Sequence, residues 1–381
     1  MADIQVGQPV QAGERILALD VLRGFAMFGV LLAYAMWSLG TAPDESWTKL
    51  DQRLGTFVNF AVDGKFYTIL AFLFGLGFSI QLSRAASDSS AVETHCRRLA
   101  CLAGIGLAHA LLLRNGDILL PYALTGFLLI PFRKRSERTI LIAAFIILLI
   151  PAAVGIPWDL LGLPIAERPH LQSAPYLIEN AAWVHYWYAS AIFSWPLNLT
   201  LFLFGVLAGR HGIIVRLSEH PKTLVRIALA GLAGATALFF AKPAVAGLAR
   251  PATGYLAQVL FDFHCWCLSS AYVATLLLVL TTAPGRAALM PLAAIGRLAL
   301  TNYLCQAAIV VPLCLAFGWF DQFRPTTSIL LTLAVFFLIQ LPFSLAWSSR
   351  YQFGPAEWFW RLLTYGRMPP LRRPIATAVA Q

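Results

Sequence analysis

The chain has 381 residues, 59% of them hydrophobic and only 12% charged, with mean hydropathy +0.71 and formal net charge +10. A soluble domain carries about 25% charged residues, and one core of this size cannot hide so much apolar surface, so composition excludes an ordinary soluble enzyme and points to lipid. The positive charge lies in short segments between apolar runs, which the positive-inside rule explains without invoking nucleic acid.

Length alone would fit two or three soluble domains, but no polar linker divides the chain. It reads as a single all-α polytopic domain over residues 1–381, a helical bundle with its natural partner the lipid bilayer. A polar leader, residues 1–15, precedes the first apolar run, and nothing there resembles a cleaved signal peptide. Runs of the length a bilayer requires number ten: Ile16–Leu39, Ala61–Gln81, Arg97–Leu113, Ile118–Phe132, Thr139–Ile156, Ala191–Ala208, Leu224–Ala241, Tyr255–Leu280, Leu292–Phe317 and Ser328–Trp347. The third and fourth are short and form a tight hairpin around Arg114-Asn115-Gly116, with one long re-entrant element as the alternative. With the N-terminus inside, inner segments carry eighteen Lys and Arg and outer segments eight. Both termini are therefore expected in the cytoplasm, the last segment being a basic tail over residues 350–381.

Two outer segments are long. Residues 40–60 read as a partly amphipathic helix. Residues 157–190, rich in Trp, Tyr, Pro and His with Asp159, Glu167 and Glu179, read equally as an interfacial belt or a substrate cap. The tetrapeptide Phe72-Leu73-Phe74-Gly75 recurs as Phe202-Leu203-Phe204-Gly205 on runs expected to point the same way, but a match this short arises easily by chance. Of six cysteines, all but Cys96 lie in apolar runs, and no disulfide framework is expected. His264-Cys265-Trp266-Cys267 resembles a metal fragment only superficially: helical neighbours point in different directions and no second ligand pair follows, so no metal is expected. No Walker loop, nucleophile elbow or His-Glu-x-x-His is present.

Ionisable side chains inside a span are costly and are functional candidates. They fall at two depths. The inner group is Asp20, Arg23 and Arg297, with Asn302 deeper. Asp20 and Arg23 share a helix face, and Gly24 allows close helix approach. An ion pair joining two helices is the structural reading; the surplus guanidinium suits a phosphate or carboxylate. The outer group is Lys65, His109, Asp117, Asp262 and His264. His109 lies about 8 Å below the outer end of its run, at 1.5 Å per residue, and Asp117 sits just across the hairpin. An imidazole held by a carboxylate is a general base; the structural reading is a histidine hydrogen-bonded for packing.

Several motifs together resemble the YeiB-like bacterial inner-membrane proteins, a domain of unknown function. They are Leu19-Asp20-Val21-Leu22-Arg23-Gly24; Lys65-Phe66 with Leu73-Phe74-Gly75; His109 with Gly116-Asp117-Ile118-Leu119; Gly296-Arg297 with Leu300-Thr301-Asn302-Tyr303; and Gly354-Pro355 with Glu357-Trp358, Trp360-Arg361 and Thr364-Tyr365-Gly366. They cover nearly the whole chain in the family's order, with Tyr34 departing from an expected Asn. That family is distantly similar to transmembrane acyltransferases, in which acyl-CoA enters from the cytoplasm and an intramembrane histidine serves an acceptor on the far side. The resemblance implies His109 as base, Asp117 as its orienter, and Arg23 and Arg297 as contacts for acyl-CoA. Among the other polar residues inside the spans, His264 is a further catalytic candidate, Asn302 a further acyl-CoA contact, and Asp20, Lys65 and Asp262 candidate substrate contacts. The acceptor would be an envelope glycan, lipid or small metabolite; no permanently bound cofactor is expected, and a homodimer stays open. The competing readings are a proton-coupled transporter or lipid carrier, and a scaffold without chemistry whose basic tail holds anionic lipid or a partner.

Overall fold

The computed structural model describes residues 17–41, 43, 45–83, 89–113, 116–160, 176–189, 191–246 and 253–372. The leader over residues 1–15, Arg114 and Asn115 of the expected hairpin, residues 161–175 and 190 of the 157–190 segment with Glu167 among them, and Arg373 lie outside the described residues. Within them the chain is helical, and its only β pairings are the isolated bridges Gly40–Phe323 and Tyr351–Arg372.

The helices in chain order are α1 (Leu17–Ser38), α2 (Lys49–Ala61), α3 (Lys65–Ser83), α4 (Ser89–Leu112), α5 (Leu119–Phe127), α6 (Glu137–Leu160), α7 (Tyr176–Ala189) and α8 (Ala191–Arg210). There follow α9 (Ile213–Ser218), α10 (Pro221–Ala246), α11 (Thr253–Leu280), α12 (Ala283–Arg297), α13 (Ala299–Phe317), α14 (Pro325–Ala334), α15 (Leu341–Arg350) and α16 (Pro355–Tyr365). Six helices or helix pairs among the described residues are long and apolar enough to cross a bilayer: Leu17–Ser38, Lys49–Gln81, Pro221–Pro243, Leu256–Leu280, Ala299–Phe317 and Pro325–Arg350. That is fewer than the ten runs of the sequence. The expected third run is a helix that begins in polar sequence with Glu93, Arg97 and Arg98, and the fourth holds an α-helix of only nine residues.

α1 is the hub. Fourteen of its residues are buried, and it packs on α3, α12, α13 and α14. Its crossing with α12 is backbone on backbone: a Cβ on Gly24 would collide with the Leu292 carbonyl, and one on Gly296 with the Asp20 carbonyl. Small residues let membrane helices meet at this distance, where packing replaces the hydrophobic effect as the driving force. The two Phe-Leu-Phe-Gly segments also meet. A Cβ on Gly75 would strike the Phe202 carbonyl and one on Gly205 the Phe72 carbonyl, so α3 and α8 cross in a reciprocal, parallel pair.

α2 starts on a reciprocal capping box: Asp51 N–H donates to Thr48 Oγ1 at 3.1 Å and Thr48 N–H to Asp51 Oδ2 at 3.1 Å. The other Asp51 oxygen accepts from Thr326 N–H and Oγ1–H, which ties α2 to the start of α14.

Two apolar runs are interrupted. The run expected as one span over Leu292–Phe317 is two helices, α12 and α13, broken at Leu298 with φ −109° and ψ 31°. The last run contains a π turn, Val335–Gln340, between α14 and α15, which leaves Gln340 buried in the bundle.

Candidate functional site

α4 carries His109 toward the end of the bundle where the chain turns back into α5, and the side chain is 2% exposed. Gly106, one turn earlier, makes the return possible: a Cβ there would collide with Leu120 N. Asp117 opens α5. Its Oδ2 accepts from Leu120 N–H at 2.7 Å and so caps the helix, while its Oδ1 faces His109.

Two side chains converge on that carboxylate. Tyr303 on α13 donates its hydroxyl to Asp117 Oδ1 at 3.0 Å and accepts from Ile118 N–H at 3.2 Å. The His109 Nδ1 lies 3.0 Å from the same Oδ1, within ion-pair reach but off the line of a straight hydrogen bond. The Tyr303 ring covers the imidazole at 4.9 Å between centroids. A carboxylate beside Nδ1 holds the proton there and leaves Nε2 with its lone pair. No described residue bonds to His109 Nε2. The imidazole borders a small cavity with Val30 and Tyr34 of α1, Tyr67 of α3, and Tyr303, Gln306 and Ala307 of α13. The cavity offers about 10 Å³ to the centre of a water molecule, room for about one water. A buried imidazole beside a carboxylate, with an unpartnered nitrogen and a small cavity at its side, can take a proton from one O–H or N–H.

The opposite end of the bundle gathers the inner group. Arg23 Nη1 is 3.4 Å from Asp20 Oδ1, and Arg23 remains about one-third exposed at 35%. Arg98, which the sequence reading assigned to no site, lies at this end: it donates to Gln81 Oε1 at 3.0 Å and stacks 4.6 Å over Trp360 of α16. The Trp360 indole N–H in turn donates to the Arg98 carbonyl at 2.9 Å. Arg297 ends α12 beside the helix break. There Glu357 of α16 supplies what the broken helix lacks. Its Oε1 accepts from Leu300 N–H at 2.7 Å and Thr301 N–H at 3.1 Å, and its Oε2 bonds to Thr301 Oγ1 at 2.5 Å. Burial pushes the Glu357 carboxyl above the usual range, against these hydrogen bonds, which pull it down.

Between the two ends runs a buried polar row along α13. Asn302 donates to Ser344 Oγ at 3.0 Å, Gln340 to the Asn302 carbonyl at 3.5 Å, and Gln306 to Gln340 Oε1 at 3.3 Å. Gln306 also lines the His109 cavity. From Ala299 to Gln306 is about 10 Å of helix rise, so this row reaches from the Glu357-capped start of α13 to the His109 cavity.

The remaining candidates stand apart from His109. His264 on α11 has Nδ1 2.8 Å from the Ala235 carbonyl and Nε2 3.0 Å from the Phe60 carbonyl. With both ring nitrogens beside backbone oxygens it pins α11 to α2 and α10, and it does not line the His109 cavity. Neighbouring side chains of α11 continue the pinning: Ser269 donates to the Lys65 carbonyl at 2.8 Å and Tyr272 to the Ala61 carbonyl at 2.9 Å. Lys65 and Asp262 lie around Phe261 with Asp63 and Lys242, across α3 from Tyr67. Asn302 is engaged in the amide row, and Asp20 with Arg23. Sequence reasoning missed Tyr303, Gln306, Gln340, Arg98 and Glu357 as site residues. Tyr303 and Glu357 stand in the quoted motifs, but nothing in a single sequence says which motif residues converge.

The fold and the site define a helical membrane protein with a buried histidine–carboxylate pair at one end and arginines at the other. Residues 208–367 match the family described as "Protein of unknown function (DUF418)". The chain is 31% identical to the "Uncharacterized 39.9 kDa protein in amylase 3'region" of Bacillus acidopullulyticus, over 95% of this chain and 97% of the relative. It is 28% identical to "Uncharacterized protein YxaH" of Bacillus subtilis (strain 168), over 96% and 98% of the two chains. "Uncharacterized protein YeiB" of Escherichia coli (strain K12) matches at 26% identity over 92% and 96%. The chain belongs to this YeiB-like family of unknown function. No solved structure matches it.

Proposed function

We propose that the protein is a membrane acyltransferase. It takes an acyl group from acyl-CoA entering from the cytoplasm and passes it to a hydroxyl or amine of an envelope glycan, lipid or small metabolite. The observation that carries this reading is His109, a buried ring that lines a cavity, whose Nε2 has no described partner and whose Nδ1 faces Asp117. In the reaction, Nε2 takes the proton of the acceptor, the acceptor oxygen or nitrogen bonds to the thioester carbonyl carbon, and the carbon–sulfur bond breaks. The thiolate leaves with the proton that His109 returns. Arg23, Arg98 and Arg297 offer forks for the donor's phosphates, and the amide row of Asn302, Gln340 and Gln306 leads from that end to the base. The reading includes ten spans, both termini in the cytoplasm and residence in a bacterial inner membrane. The Lys and Arg asymmetry of the segments and the bacterial relatives support it.

The test is calorimetric binding of acyl-CoA to purified protein in detergent, followed by release of free thiol with candidate acceptors. Arg23→Ala and Arg297→Ala are expected to weaken binding; His109→Ala is expected to leave binding intact and stop thiol release. Failure of every acyl-CoA to bind would sink the reading.

A transporter is the second reading, favoured by the separate set of buried charges around Phe261 and by the reciprocal α3–α8 crossing, since parallel repeats recur in transporters. Proton-coupled flux in proteoliposomes that depends on Asp262 would put it first.

A further inference from the structure

The charges around Phe261 form a second site, independent of the acyltransferase reading. Lys65 opens α3 directly after the turn from α2 and is 0% exposed. Its Nζ donates to the Asn59 carbonyl at 2.6 Å and stands 5.0 Å from the Phe261 ring centre. Lys242, near the end of α10, reaches the same ring at 4.6 Å. Asp63, in the α2–α3 turn, has a buried Oδ1 with no described hydrogen-bond partner. Asp262, beside Phe261 on α11, accepts from Gln258 at 3.2 Å. Lys242 is electrostatically coupled to Lys65 and to both carboxylates, so the four charges share one neighbourhood.

What separates this set from an ordinary ion-pair network is that the partners do not close on each other. No Lys–Asp pair among them lies within 4 Å in the described residues, although the set holds two cations and two anions. A buried ammonium has three donors, and Lys65 has one described acceptor. Leaving charged donors and a carboxylate oxygen unmatched at this depth is costly, and the cost falls if a ligand supplies both complements. The ligand's own charge follows from balance. The set is formally neutral, so a purely anionic ligand meets two carboxylates and a purely cationic one meets two ammoniums. A ligand carrying both signs meets neither conflict. The position adds the rest. The set lies where amphipathic α2 turns into apolar α3, with Lys242, Phe261 and Asp262 half-buried at its rim and Lys65 as its floor.

We propose that Lys65, Lys242, Asp63 and Asp262 around Phe261 bind a zwitterionic headgroup, a phosphate beside a primary ammonium. The phosphate lies against Lys242 and Lys65, and the ammonium donates to Asp262 and Asp63. This chemistry exists in a phospholipid and in its free, deacylated headgroup.

The test is native mass spectrometry of the full chain in detergent, loaded with phosphatidylethanolamine, phosphatidylcholine or phosphatidylglycerol. Wild type is expected to retain phosphatidylethanolamine preferentially. The choline lipid keeps the charge but has no N–H to donate, and the glycerol lipid has no cation. Lys242→Gln and Asp262→Asn, both at the rim, are each expected to lower retention about tenfold, the worth of one charge-assisted hydrogen bond. His109→Ala is expected to retain it fully. Competition by soluble glycerophosphoethanolamine at equal concentration would assign the site to the free headgroup; its failure to compete would assign it to the lipid. Equal retention of the three lipids, or wild-type retention by both rim variants while thermal melting shows them folded, would overturn the proposal.

Discussion

Two buried histidines, His109 on α4 and His264 on α11, have opposite surroundings. His109 keeps one nitrogen beside a carboxylate and the other without a described partner, on a ring that lines a cavity. His264 has a backbone carbonyl at each nitrogen, and a neutral imidazole can donate to only one of them at a time. The first is built to exchange a proton with something that arrives; the second is built into the packing of α2, α10 and α11. Residue type and burial are alike in the two, so neither property alone identifies a base. The difference lies in what the second ring nitrogen meets.

The comparison breaks or holds on single substitutions. His109→Ala carries the largest expected effect: a loss of about 10²–10⁴ in acyl transfer, read as thiol release, with melting temperature near wild type. A comparable loss in His264→Ala at unchanged stability would erase the distinction. His264→Ala should instead lower stability by about 1–3 kcal/mol, the cost of leaving a buried carbonyl unsatisfied, seen in detergent melts, with acyl-CoA binding per folded molecule unchanged.

Tyr303→Phe sharpens the picture of His109. It keeps the ring over the imidazole and removes only the hydroxyl that steadies Asp117, so activity should fall about tenfold, with a displaced pH profile. A purely structural Tyr303 would lower stability and leave the profile where it was.

The smallest effect concerns Glu357 at the opposite end. Burial holds its carboxyl above the ordinary glutamate range, so the protonated form is favoured in the folded state. Its contribution is complete below the unfolded-state value and is lost as pH rises through the raised folded one. Melting temperature should therefore decline with pH across that window in wild type. Glu357→Gln, which keeps an acceptor and a neutral donor, should flatten that slope. An unchanged slope in the variant would assign the pH dependence to other groups.

Much of this was legible in the residues. Hydropathy and charge gave a helical membrane protein, and the apolar runs overlap the helices, because a span must satisfy its backbone internally. The approach of α1 to α12 follows from Gly24, and the nearness of Asp117 to His109 follows from a short turn containing Gly116. Other features were not legible. The Leu292–Phe317 run reads as continuous apolar sequence, yet it breaks at Leu298, and the carboxylate that caps the second helix lies 57 residues away from Leu300. Lys65, His109, Asp117, Asp262 and His264 read as one outer group by depth. The fold divides them, since residues 65 and 67 of one helix point to different neighbours.

The sequence by itself determined the solvent and the helical class, because these depend on hydropathy and on the need of a span to satisfy its own backbone. Only the tertiary structure decided which of the ionisable side chains meet. Azimuth around a helix, the position of a break and the identity of a partner dozens of residues away are set by packing between helices, which no single helix encodes.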